Sequence, residues 1–135
     1  MLCDWRNRPH LRRFYQKTPI TLPELQAEYH AILHGEEPGH CHLSFLDDRP
    51  FGYAQCYRIM DWPDYAAKIE VSDGIGVDYF IADPALIGRG LGRAMLGAYL
   101  REIAFPLFPG ERRSVVCHEQ ANAASHGVLK SLGFA

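Results

Sequence analysis

The stretch ALIGRGLGRAMLGAYL, Ala85–Leu100, sets three alternate glycines, Gly88, Gly90 and Gly92, against the start of an apolar run. Glycine costs backbone entropy on folding, so something at this turn must offset it. The run that follows has helical spacing. Leu91, Ala94, Met95, Ala98 and Ile103 share one broad face, while Arg93, Gly97 and Arg101 form a polar stripe. Before the turn, Gly74–Ala82 is apolar on both faces and reads as a central strand, ended by Asp83-Pro84. The glycines therefore join a strand to a helix. Bare N–H groups there converge on an anion, and the helix N-terminus adds about half a positive charge. Arg89 and Arg93 bring fixed charge to the same spot. A pyrophosphate suits such a place. The P-loop pattern GxxxxGK[ST] is absent, and GxGxxG counted from Gly88 fails at Arg93. The competing reading is a turn that only lets a helix pack closely on a sheet.

Working outward, Leu2–Gln16 has helical spacing broken at Pro9. Leu22–Leu33 reads as a helix capped by Thr21 and stopped at Gly35. The period then changes. His42–Leu46 and Phe51–Ile59 read as a hairpin about Asp47–Pro50. Phe51, Tyr53, Gln55, Tyr57 and Ile59 lie on one face of the second strand. Met60–Ser72 reads as a long polar connection with aromatic residues. The helix after the glycines runs over Gly90–Phe105, Arg112–Cys117 is a strand, and Asn122–Leu132 is a short helix ended by Gly133. This order predicts an α/β (α+β) domain with a mixed central sheet and helices on both faces.

The length of 135 residues fits a single domain, 1–135. A net charge of −2 argues against nucleic acid as a partner and suits a small or cationic molecule. No apolar stretch reaches the ~20 residues of a membrane span, and the N-terminus lacks the apolar core of a signal peptide. Cytoplasm is the expected compartment. The four cysteines, Cys3, Cys41, Cys56 and Cys117, form no CxxC and read as reduced thiols. His40 and His42 share a strand face, but no further ligand follows at metal-site spacing, so no metal is expected.

Asp78 is an ionisable residue inside an apolar strand, between Val77 and Tyr79. Partial burial would raise its pKa, which suits a general base or an anchor for a substrate ammonium group. A structural, hydrogen-bonded aspartate is the alternative. Asp61, Asp64, Glu70 and Asp73 spread acidic charge along the connection, attractive to a polyamine or simply solvated. Phe14, Tyr15, Trp62 and Tyr65 are aromatic candidates for the wall of a cleft, Tyr15 among them for substrate contact.

Three segments resemble the GNAT superfamily of acetyl-CoA-dependent N-acetyltransferases: Phe80-Ile81-Ala82-Asp83-Pro84, Ile87-Gly88-Arg89-Gly90-Leu91-Gly92, and Asn122 with the ending Leu129-Lys130-Ser131-Leu132-Gly133-Phe134. The second is similar to the family's pyrophosphate loop, [QR]xxGx[GA]. PFGYAQCY (Pro50–Tyr57) and IGVDYFIAD (Ile75–Asp83) look most like the aminoglycoside 6′-N-acetyltransferases and related siderophore-type enzymes, as does the opening CDWRNRPHLRRFY. The resemblance implies acetyl-CoA as co-substrate, a small polycationic amine as acceptor, and a GNAT-like sheet. It assigns Ile87, Gly88, Arg89, Gly90, Leu91, Gly92 and Arg93 to the pyrophosphate. It assigns Phe80, Ile81 and Ala82 to the pantetheine arm through their backbone, with one N–H facing the thioester oxygen. Asn122 would bind the same arm, and Gln55 would sit on the substrate side with Asp78 as base.

The departures are specific. Ile87 stands where the pattern has Gln or Arg. Leu129 replaces a tyrosine thought to protonate the leaving thiolate, and Cys117 replaces a carboxylate. His118 and Glu119 are a reserve acid–base pair. The family also has a strand before the first helix and another after Gly133-Phe134, so the resemblance implies a short or partial version. A siderophore precursor or protein amine as acceptor, a CoA-binding module without turnover, and a homodimer stay open.

Overall fold

The computed structural model describes residues 1–15, 18–116, 127, 129–130 and 132–134, with the side chains of 13–15 outside that description. Pro9 divides the opening helical pattern into α1 (Leu2–Arg6) and α2 (Pro9–Tyr15), since proline fits the first turn of a helix and not its interior. Helix α3 (Leu22–Leu33) starts with a reciprocal capping box. Thr21 accepts from the Glu24 N–H while the Glu24 side chain accepts from the Thr21 N–H at 2.8 Å.

Strands β1 (His40–Leu46) and β2 (Arg49–Arg58) form the expected hairpin. Asp47 and Asp48 make the turn alone, with φ of 48° and 64°. Two left-handed residues match the twist of a two-residue hairpin, and aspartate tolerates that region. β3 (Ile75–Ile81) pairs antiparallel along β2, and β4 (Ser114–Val115) pairs parallel to β3 at Ile75 and Gly76. The sheet order is β1-β2-β3-β4. Beyond Gly76, no described strand flanks β3 on its outer side.

The connection after β2 differs from its expected form. It holds a 3-10 turn at Ile59–Asp61 and then helix α4 (Pro63–Ile69), which ends on Glu70 in the left-handed region. Helix α5 spans Leu91–Tyr99, continues as a π-turn at Leu100–Ala104 and closes with α6 (Phe105–Leu107). The segment expected as one helix is thus a helix with a π-turn inside it. The buried face of α5 is Gly92, Met95, Leu96 and Tyr99, while Ala94 is exposed. It is rotated from the expected stripe because Gly92 and Tyr99 carry little weight in an apolar pattern yet pack inward.

Alternation along the strands sorts the core into two layers. Ala54, Cys56, Ile75 and Val77 pack against Leu96, Tyr99 and Ala104 on one side of the sheet. Tyr53, Phe80 and Ala82 pack against Trp5, Leu11, Leu25 and Tyr29 of the first three helices on the other. Helices cover both faces, as the sequence predicted. Gly52 makes room for Met95, since a Cβ there would lie 2.7 Å from the Met95 sulfur. Met95 is a core residue.

Candidate active site

Register places the central chemistry. Gln55 of β2 stands opposite Asp78 of β3, on the side of the first three helices. The Gln55 amide donates to Asp78 Oδ2 at 2.7 Å, and Tyr53 Oη donates to Gln55 Oε1 at 2.6 Å. Asp78 and Gln55 line a cavity of about 290 Å³ whose other walls include Tyr57, Trp62, Tyr65 and Ile32. The rings of Tyr57 and Trp62 meet edge to face with centroids 6.4 Å apart, and those of Tyr57 and Tyr65 at 5.9 Å. Aromatic rings beside a carboxylate make a hollow suited to a cation, which gains from both the charge and the ring faces.

Burial pushes the Asp78 carboxyl above the ordinary aspartate range, and the hydrogen bond from Gln55 pulls it back in part. Tyr57 reaches its position by lying across Gly76, where a Cβ would overlap the edge of the ring. Trp62 and Tyr65 are brought in by the 3-10 turn and α4. Their place on a wall was expected, but the helix that carries them was not.

The second region is the end of β3 and the glycine turn. The Ile75 N–H donates to the Arg113 carbonyl on the β4 side at 2.9 Å, whereas the Ala82 N–H donates to the Phe51 carbonyl on the β2 side at 2.8 Å. Strand alternation therefore directs the Ile81 N–H toward the β4 side. The Ala82 carbonyl accepts from Arg8 Nη1 at 2.7 Å, and His10 Nε2 lies 3.0 Å from the Ile81 carbonyl oxygen. Part of the backbone of Phe80–Ala82 is thus committed within the fold. Sequence reading gave no notice of these two basic side chains, because contacts 74 and 71 residues apart leave no local pattern.

The Asp83 side chain accepts from the Ala85 N–H at 2.9 Å and starts a 3-10 turn, Pro84–Leu86. Gly88 and Gly90 follow, with φ of 82° and 78°. A Cβ on either would meet nothing within 4 Å. The left-handed backbone requires glycine here, and close packing of helix on sheet does not. Gly90 caps α5 without a side-chain hydrogen bond, so the first N–H groups of that helix have no side-chain cap. Arg89 and Arg93 are exposed and form no ion pair among the described residues. Bare helix amides, open space over two glycines and two cationic side chains fit a pyrophosphate. Leu91 is half-buried and Ile87 is 37% exposed.

Asn122, Cys117, His118 and Glu119 lie outside the described residues, and so does the side chain of Tyr15. His42 does not join a metal cluster. Its Nδ1 lies 3.0 Å from Tyr99 Oη, and no cluster of metal-ligating residues occurs among the described residues. No described helix is long and apolar enough to cross a membrane.

The family model for the acetyltransferase (GNAT) domain matches residues 1–135. Among solved structures, the chain is similar to aminoglycoside acetyltransferase AAC(6')-Ib in complex with coenzyme A and kanamycin, with 24% identity and a TM-score of 0.86 over 100% of this chain and 77% of that one. It is also similar to an uncharacterized protein of Bacillus halodurans, with 20% identity and a TM-score of 0.84 over 100% and 68%. An aminoglycoside N(6')acetyltransferase of Legionella pneumophila gives 20% identity and a TM-score of 0.68 over 99% and 72%. No curated protein matches the sequence. The chain belongs to the GNAT acetyltransferases, the class that moves an acetyl group from acetyl-CoA to an amine.

Proposed function

We propose that the chain acetylates a primary amine of a small polycationic acceptor of the aminoglycoside type. The observation that carries this reading is the half-buried Asp78 carboxylate, which lines a cavity of about 290 Å³ together with three aromatic rings. A polycation gains most in such a place, because the carboxylate is poorly solvated and the ring faces add to its field. Structures of the same fold hold kanamycin, ribostamycin and paromomycin, which supports the acceptor class.

Acetyl-CoA supplies the acetyl group as a thioester. Gly88, Gly90 and the first amides of α5 bind its pyrophosphate, with Arg89 and Arg93 alongside. Leu91 and Gly92 present backbone N–H groups at the head of the helix, and Ile87 contributes backbone only. The far half of β3 lines the path of the pantetheine arm, and the Ile81 N–H is directed to that side, as the donor an oxyanion needs. By the resemblance, Asn122 would bind the same arm. Asp78 pairs with the acceptor ammonium group and takes its proton, directly or through a water. The amine then forms the new C–N bond, the nitrogen gives its second proton to solvent, the C–S bond breaks, and the thiolate takes a proton from solvent. Gln55 and Tyr15 contact the acceptor.

A second reading has one observation behind it. Leu129, at the position where the resemblance places a proton-donating tyrosine, is 5% exposed and packed in the α5-side core. It donates no proton, which favours a CoA-binding module without turnover. A thiol-release assay with acetyl-CoA decides between them. The panel is kanamycin, spermidine and a lysine derivative. Release with kanamycin above the other two supports the proposal. Release with the lysine derivative alone moves the acceptor to a siderophore-like or protein amine. CoA binding without release supports the module.

A further inference from the structure

A line of side chains runs inward from helix α1 to the cavity. Arg6 is 6% exposed, and its Nη1 donates to Glu28 Oε2 at 2.8 Å and to Tyr29 Oη at 3.5 Å. The rings of Tyr29 and Tyr53 meet edge to face with centroids 5.9 Å apart. Tyr53 Oη donates to Gln55 Oε1, and Gln55 Nε2 donates to Asp78 Oδ2. A guanidinium can only donate, so the cation sets the sense of the first bond. Tyr53 Oη also lies 3.2 Å from Cys41 Sγ, but its single proton is used by the shorter 2.6 Å bond to Gln55. The bonds from Tyr53 to Gln55 and from Gln55 to Asp78 then point the same way, and bonds aligned in this sense polarise one another.

We propose that Tyr53 is a positioning residue that holds the Gln55 amide with its N–H toward Asp78, so that one carboxylate oxygen is fixed and Oδ1 is left to meet the amine. The inference rests on Asp78 being the group that receives the acceptor. Without Tyr53 Oη the amide is free to turn its own oxygen toward the carboxylate. That would repel the charged form at the place where it is needed. The titratable groups that share the cavity with Asp78 are His40 and Cys41 of β1, Cys56 and Tyr57 of β2, and Tyr65 of α4.

The test compares the full chain with Tyr53→Phe and Arg6→Met. The readouts are the pH profile of kcat/KM for the amine and a carboxyl NMR titration of Asp78 without substrate. Tyr53→Phe should move the acid limb to higher pH, so that kcat/KM falls about tenfold at pH 6 and little at pH 8.5. Arg6→Met, which breaks no bond to Gln55, should leave the limb in place. An even loss across pH, with the Asp78 titration unmoved, would overturn the proposal. CoA affinity reports that each variant is folded, and Gln55→Leu reads the same limb if Tyr53→Phe is not. Should the wild-type chain release no thiol, the acetyl-transfer reading fails on its own, and the NMR titration still decides whether Tyr53 acts on Asp78.

Discussion

Asp78 combines two demands that pull apart. The proposed role as base needs its carboxylate charged, while burial favours the neutral form and raises its pKa. Two outcomes follow for Asp78→Asn. Turnover should fall on the order of 100-fold, with CoA affinity unchanged by calorimetry. An equal loss of both would make the residue structural. Stability should move the other way. A carboxyl whose pKa is higher folded than unfolded binds more protons in the native state, so stability falls as pH rises through that window. Removing the group should therefore raise Tm at pH 7 and change it less at pH 4, as thermal unfolding at the two values will show. The same sign predicts that wild-type kcat/KM falls on the acid side at a pH above the ordinary aspartate range. At Gly90 the physics is backbone strain. A β-branched residue in the left-handed region costs about 1–2 kcal/mol, and its side chain enters the open space where the pyrophosphate is proposed to lie. Gly90→Val should weaken CoA binding about tenfold or more in a titration. Unaltered affinity would count against the loop assignment.

At the scale of elements, α4 turns a stretch of sequence into a wall. Strands were legible because alternation is a strong local signal: β2 and β3 lie within a residue or two of where Phe51–Ile59 and Gly74–Ala82 put them. The pairing of Gln55 with Asp78 was not, since register depends on partners 23 residues apart. α4 was read as a connection because seven residues give less than two turns of periodicity, and three acidic residues around it suggested a solvated loop. Its real signals were Pro63 at the first turn and the Ala66-Ala67 pair. The Ala66 N–H closes the first turn onto the Trp62 carbonyl at 2.9 Å. Ala66→Pro removes that bond and should loosen the wall. KM for the acceptor should rise about tenfold while the CoA titration is unchanged. A shift in both constants would mean that α4 supports the whole sheet.

For the whole molecule, the sheet acts as a partition with one task on each side. The layer under the first three helices carries Asp78 and the cavity it lines, and the layer under α5 is apolar core beneath the helix that follows the glycine turn. Binding of CoA to the native chain alone should therefore stabilise it as a unit. Saturation at about 100 times Kd adds about 2.7 kcal/mol, which raises Tm by several degrees in a domain of this size. Differential scanning fluorimetry with CoA measures it, and a flat Tm would remove the acetyl donor from the account.

The absent side chain at Gly76 carries a consequence of its own. Tyr57 can lie down across β3 only because nothing projects from that residue. Adding one methyl group would lift the phenol off the strand and into the volume the acceptor would occupy. On the proposed reading, guest size would be governed by a hydrogen atom two residues from the carboxylate, and a change at this position would narrow the choice of amines before it altered the reaction itself.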